Sequence, residues 1–198
     1  MTADETARGA APQEPTRRLF FALWPDAAMR EAMVHATREA ARARGGRPVP
    51  AANLHITLAF LGSVPERRLP ELAEVARAAV EPLWDASSRV SPPEVAFDRL
   101  EYWRAAHLLC ALPAEAPALV AVLARKLQDL LLAGGFAPDL KPFRLHVTVA
   151  RKVMRPRAVG KMHPVVWRFT DLALIESRTL PEGALYSVVQ AQPLESGA

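Results

Sequence analysis

A chain of 198 residues, 51% hydrophobic and 23% charged, has ample material for a packed interior, and no apolar run reaches the length of a membrane span. Its one cysteine, Cys110, excludes an internal disulfide and, inside Leu108-Leu109-Cys110-Ala111-Leu112, reads as a buried small hydrophobe. The start, Met1-Thr2-Ala3-Asp4-Glu5, lacks the basic and apolar regions of a secretory signal, so a reducing cytoplasm is the expected location.

The formal net charge is +4, unevenly spread. The first turns of sequence are acidic, with Arg8 against Asp4, Glu5 and Glu14. From Leu140 to His163 the chain holds Lys141, Arg144, Arg151, Lys152, Arg155, Arg157 and Lys161 with no acid, a run that favours a polyanionic partner.

Residues 1–16 lack an apolar period and are expected to form a disordered tail. Leu19 to Trp24 reads as a buried strand stopped by Pro25. Asp26 caps a helix running to about Ala43, with Met29, Met33, Ala36, Ala40 and Ala43 on its buried stripe and Gly45-Gly46 as its stop. Leu54–Leu61 reads as a strand closed by Gly62. After Pro65 comes a helix that buries Leu69, Leu72, Ala76, Ala79 and Leu83. A linker with Pro92-Pro93 leads to strands near Val95–Tyr102 and His107–Leu112. A third helix, from about Pro117 to Ala133, buries Leu119, Leu123, Leu127 and Leu130 and ends at Gly134-Gly135. Leu145–Ala150 is a strand, and strands near Val165–Phe169, Leu172–Ser177 and Leu185–Ala191 complete the chain, with Pro181-Glu182-Gly183 in the last turn. Residues 17–194 are expected to form one two-lobed unit, and 195–198 a short tail.

One pattern recurs. An amphipathic helix ends at a glycine pair, a loop follows, and a strand then carries His-x-Thr. The two segments are Asn53-Leu54-His55-Ile56-Thr57-Leu58 and Arg144-Leu145-His146-Val147-Thr148-Val149. Alternate residues of a strand share a face, so Leu54, Ile56 and Leu58 enter the core while His55 and Thr57 point together to the other side. Leu145, Val147 and Val149 repeat this opposite His146 and Thr148. Two lobes facing each other would then line one cleft with two imidazoles and two hydroxyls.

That set suits in-line displacement at the phosphorus of a cyclic phosphate. One group must take a proton from the attacking water, another must give one to the departing oxygen, and imidazole can do either near neutrality. The hydroxyls of Thr57 and Thr148 can hold the non-bridging oxygens. Neither motif has a second His, Cys, Asp or Glu at ligand spacing, and His35, His107 and His163 lack paired ligands nearby, so no metal and no cofactor are expected.

Paired His-x-Thr-apolar strands resemble those of the two-histidine (2H) phosphoesterases, and within them the RNA 2′,3′-cyclic phosphodiesterases formerly called 2′-5′ RNA ligases. The likeness runs from about Arg18 to Leu194. It is carried by Arg18-Leu19-Phe20-Phe21-Ala22-Leu23, by Asn53 through Gly62, by Phe143 through Arg151, and by Ile175-Glu176-Ser177 with Gly183-Ala184-Leu185-Tyr186. Leu145 departs from the family, which has proline before the second histidine.

The resemblance implies an α+β fold of two pseudo-symmetric lobes, antiparallel sheets with outer helices around a central cleft. It implies hydrolysis of RNA or nucleoside 2′,3′-cyclic phosphate to a 2′-phosphate. His55 is expected as proton donor and His146 as proton acceptor, the latter kept neutral by nearby cations, above all Arg151. Arg151 is also expected to contact phosphate, although strict alternation turns it to the core, so the strand must end or bulge there. Phe60 matches a base-stacking aromatic of the family, yet its parity with Leu54 and Leu58 suits core packing equally. Lys141, Arg144 and Lys152 are expected as peripheral polyanion contacts. The expected partner is RNA ending in a 2′,3′-cyclic phosphate, or a cyclic nucleotide, handled by a monomer without a membrane. The alternatives are a 2H phosphoesterase acting on a small cyclic nucleotide or a 2′,5′-linked oligonucleotide, and a non-catalytic RNA-binding module.

Overall fold

The computed structural model describes residues 14–81, 94–155, 160–181 and 183–194. The expected N-terminal tail as far as 13, Leu83, the Pro92-Pro93 linker, Arg157, Glu182 and the tail 195–198 lie outside the described residues. The elements are β1 (Thr16–Leu23), α1 (Ala27–Ala43), β2 (Arg47–Pro48), β3 (Ile56–Pro65), α2 (Leu69–Val80), β4 (Glu94–Trp103), β5 (Leu108–Pro113), α3 (Ala118–Ala133), β6 (Val147–Arg151), β7 (Lys161–Arg168), β8 (Asp171–Leu180) and β9 (Gly183–Pro193).

The strands form two antiparallel sheets, one ordered β3-β1-β8-β9 and the other β2-β6-β5-β4-β7. The expected α+β architecture is therefore observed. The unit β1–α1–β3 and the unit β5–α3–β6 are built alike. In each, a strand is followed by a helix, and the chain then returns to pair antiparallel beside that strand along the segment bearing His-x-Thr. The helices are exchanged between sheets. α1 packs on β7, β2 and β6 of the five-stranded sheet, while α3 packs on β3 and α2 on β8 and β9 of the other. A single apolar core consequently runs through both sheets, with Leu19, Phe21, Ile56, Leu109, Val147 and Leu174 among its buried members. β1 is covered on both faces, which is why it reads as an unbroken apolar run.

Asp26 caps α1 by accepting the Met29 backbone N–H at 2.7 Å. The stripe that α1 buries is Met29, Met33, Thr37 and Ala41. Ala36 and Ala40 flank it, and Ala43 is exposed. Thr37 enters the core because its hydroxyl donates to the Met33 carbonyl at 2.7 Å. α3 likewise centres on Val120, Leu123, Ala124, Leu127 and Leu131, leaving Leu119 and Leu130 at the margin. Gly45 and Gly135, with φ of +62° and +69°, supply the left-handed residues that stop α1 and α3.

Gly62 does not close its strand. β3 continues to Pro65, and Gly62, with φ +73°, lies beside a register shift against β1 that glycine accommodates. β2 was not foreseen; it is two residues long, too short for any periodic signal.

Candidate active site

Both histidines sit one residue before a strand begins, His55 ahead of β3 and His146 ahead of β6. Leu54, Ile56 and Leu58 are buried, as are Leu145, Val147 and Val149, which leaves the imidazoles and the Thr57 and Thr148 hydroxyls on the opposite face of each sheet.

Each ring is held the same way. Nδ1 of His55 lies 2.7 Å from the Asn53 carbonyl, and Nδ1 of His146 lies 2.7 Å from the Arg144 carbonyl. A carbonyl only accepts, so Nδ1 carries the proton in both neutral rings and Nε2 is the unprotonated nitrogen. In His55, Nε2 is 3.0 Å from the Thr57 hydroxyl, which donates to it while the ring is neutral. The clamping residues are themselves anchored: Asn53 donates from Nδ2 to the Ala184 carbonyl of β9 at 2.7 Å, and Arg144 pairs with Glu101 of β4 at 2.5 Å.

Aromatic rings pack against both imidazoles. Phe20, Trp24 and Tyr186 surround His55 with ring centroids at 5.0, 5.9 and 5.3 Å, and Trp103 lies 4.3 Å from His146. Neither Trp24 nor Trp103 carried a sequence signal, and Tyr186 carried only its place in the closing motif. Burial holds the His55 imidazole down to about 4; the Asn53 carbonyl opposes this, and the charges of Arg151 and His146 add to it. Burial also lowers His146, again against its carbonyl partner, with Arg144 as the cation that adds to the effect. His146 and Arg151, from the second motif, both act electrostatically on His55, from the first, so the two motifs lie near each other. The charge of Arg151 bears on His55, and that of Arg144 on His146.

The parity of Phe60 and Arg151 is settled by a pair of bulges. In β3, Thr57 pairs with Ala22 and Ala59 with Phe21, so Leu58 is extra. In β6, Thr148 pairs with Cys110 and Ala150 with Leu109, so Val149 is extra. Two consecutive residues therefore face the core in each strand, and the next one returns to the side of the threonine. Phe60 packs against a smaller apolar cluster, separate from the main core, built on Phe20, Ala22, Ala173 and Ile175 on the side of His55, where Tyr186 also packs. Arg18 lies over its ring at 5.0 Å. Arg151 is exposed at the end of β6.

Thr148 also bonds the thiol of Cys110, its cross-strand partner, and burial pushes that thiol up to about 12. Two of the three expected peripheral cations have internal partners: Lys141 pairs with Asp139 at 2.8 Å and Arg144 with Glu101, while Lys152 is exposed. His35 and His163 are exposed, and His107 bonds the Tyr102 hydroxyl at 3.1 Å. Among the described residues no group of three or more His, Cys, Asp or Glu could hold a metal ion. Among them also, no helix is long and apolar enough to cross a membrane.

The fold and this arrangement define a two-lobed α+β protein with paired His-x-Thr strands, the architecture of two-histidine phosphoesterases. A match to the LigT-like phosphoesterase family covers residues 24–107. The chain is 31% identical over 183 residues to an RNA 2′,3′-cyclic phosphodiesterase of Thermus thermophilus, covering 87% of this chain and 88% of that one. It is 29% identical over 135 residues to one of Escherichia coli, covering 68% and 72%. The crystal structure of Escherichia coli LigT complexed with NADP+ superposes with a TM-score of 0.75 at 25% identity, covering 93% of this chain and all of that one. The chain belongs to the LigT-like phosphoesterase family.

Proposed function

We propose that this chain hydrolyses the 2′,3′-cyclic phosphate at an RNA 3′ end, or of a nucleoside, to a 2′-phosphomonoester without a metal. The observation that carries this reading is the matched clamp on the two imidazoles, each with Nδ1 on the carbonyl two residues back and Nε2 left for proton transfer. Its relatives bear the same activity in their names. NADP+, present in the LigT structure, carries a phosphate on a ribose 2′ oxygen, the class of group this reaction leaves.

In this mechanism His146 takes a proton from water at Nε2 as the water oxygen attacks phosphorus. The bond from phosphorus to O3′ breaks, and His55 delivers a proton from Nε2 to O3′. Both imidazoles are held low in the free chain, so the acid must be charged on binding; the anionic substrate supplies that shift. Once charged, the desolvated His55 is a strong proton donor. Thr57 and Thr148 hold the non-bridging oxygens, Arg151 neutralises the phosphate, and Phe60 stacks on the base. A single chain supplies every group, so a cytoplasmic monomer suffices, and the core shared by both sheets supports residues 17–194 acting as one unit.

The test is incubation of a nucleoside 2′,3′-cyclic phosphate with the protein in excess EDTA. Turnover to the 2′-phosphate is expected. A 3′-phosphate product would overturn the regiochemistry, and activity restored only by added metal would overturn the mechanism.

A further inference from the structure

We propose that Arg99 and Lys161 form a second phosphate-binding position on the site face of the five-stranded sheet, which takes backbone phosphates of the RNA strand upstream of its cyclic end. This rests on the reading of the site as one that acts on cyclic phosphate ends.

The placement follows from strand register. Directly paired residues of antiparallel strands put their side chains on the same face. Thr148 pairs with Cys110 and Cys110 with Glu101, so these three form a row on the site face. β4 stays in register with β5 from Arg99 to Trp103, and therefore Arg99, Glu101 and Trp103 share that face, while Leu100 points to the core. Arg99 pairs in turn with Lys161 of β7.

Two cations directly opposite each other work against sheet pairing, and nothing in the described residues offsets them. Several surface cations do have acids: Arg68 has Glu71, Arg77 has Glu74, and Arg144 has Glu101. Arg99 and Lys161 are both exposed, and among the described residues neither has an ion-pair partner. The acid beside them on this face, Glu101, is engaged by Arg144.

Along β4 the face then reads outward from the histidine in order. Trp103 lies against His146, next comes the neutralised pair of Glu101 and Arg144, and last the two cations, about 13 Å along the strand from Trp103. An aromatic plane followed by unpaired cations suits a single strand of nucleic acid, whose bases stack and whose phosphates need neutralising. A mononucleotide at the histidines would not reach so far. The pair therefore serves a longer substrate.

The experiment compares wild type with Arg99→Ala/Lys161→Ala, and with Arg99→Glu alone, on adenosine 2′,3′-cyclic phosphate and on a short oligoadenylate ending in a 2′,3′-cyclic phosphate. Both side chains are exposed, and an unchanged thermal midpoint verifies the fold. The expected result is kcat/KM within about twofold of wild type on the mononucleotide and a loss of roughly tenfold on the oligonucleotide. The salt dependence of the oligonucleotide reaction should flatten, its log–log slope falling by about 1, since each single-strand phosphate contact contributes roughly 0.7. An equal loss on both substrates, or no selective loss on the oligonucleotide, would overturn the proposal. If wild type turned over neither substrate, the activity reading would fail separately. Binding of a labelled oligoadenylate ending in a 2′-phosphate would then decide, and equal affinity in variant and wild type would sink the phosphate position itself.

Discussion

Phe60 and Arg151 occupy the same place in two different strands. Each lies five residues after its histidine, and each is returned to the site face by a bulge that begins directly after the motif threonine. Equivalent positions thus present an aromatic ring from one sheet and a guanidinium from the other. Phe60→Ala should raise KM for a nucleoside cyclic phosphate with a smaller change in kcat, costing on the order of 1–3 kcal/mol for a lost stacking surface. Arg151→Ala should lower kcat/KM more severely, and Arg151→Lys should restore only part of it, because the charge returns without the planar fork. Steady-state kinetics on one substrate for the three variants checks this. A Phe60→Ala protein with wild-type KM would remove the stacking role.

The imidazole of His55 gives a pH signature. Its folded value of about 4 lies below the ordinary 6.5. Between those two values the unfolded chain binds a proton that the folded chain refuses, so His55 contributes stability above that window and the contribution is lost as pH falls through it. Proton NMR titration of the His55 ring should give a midpoint near 4 in the free protein. Added inorganic phosphate should raise that midpoint, since an anion at the site favours the charged ring. A free-protein midpoint near 6.5, unmoved by phosphate, would contradict the buried setting.

Cys110 should be silent while the protein is folded. Its thiol is buried, bonded to Thr148 and held up to about 12, so the thiolate that alkylating agents need is scarce at neutral pH. Iodoacetamide at about pH 8 should label it only after denaturant is added, as read by intact mass. Rapid labelling of the native protein would contradict this.

Much of the fold was legible because it rests on local signals. Asp26, the Gly45-Gly46 stop, the period of α1 and α3, and the alternation around both histidines each act within a few residues of chain. The site was legible as two faces, His55 with Thr57 and His146 with Thr148, for the same reason. What escaped depends on partners distant in sequence. The bulges at Leu58 and Val149 appear only in the register against β1 and β5, so alternation alone assigned Phe60 and Arg151 to the wrong face. Trp103 reaches His146 through sheet pairing, and Arg144 reads as a free cation until β4 brings Glu101 alongside. The exchange of α1 and α3 between sheets is likewise set by long-range packing, which the amphipathic stripe of a helix does not specify.

The most direct measurement is turnover of a nucleoside 2′,3′-cyclic phosphate in excess EDTA by wild type, His55→Ala and His146→Ala. Both imidazoles face away from the core, so the variants should keep the wild-type circular dichroism spectrum and melt cooperatively. Each should lose at least about 100-fold in kcat, the scale of a missing acid or base. A well-folded His55→Ala or His146→Ala protein that keeps near wild-type turnover would contradict the account.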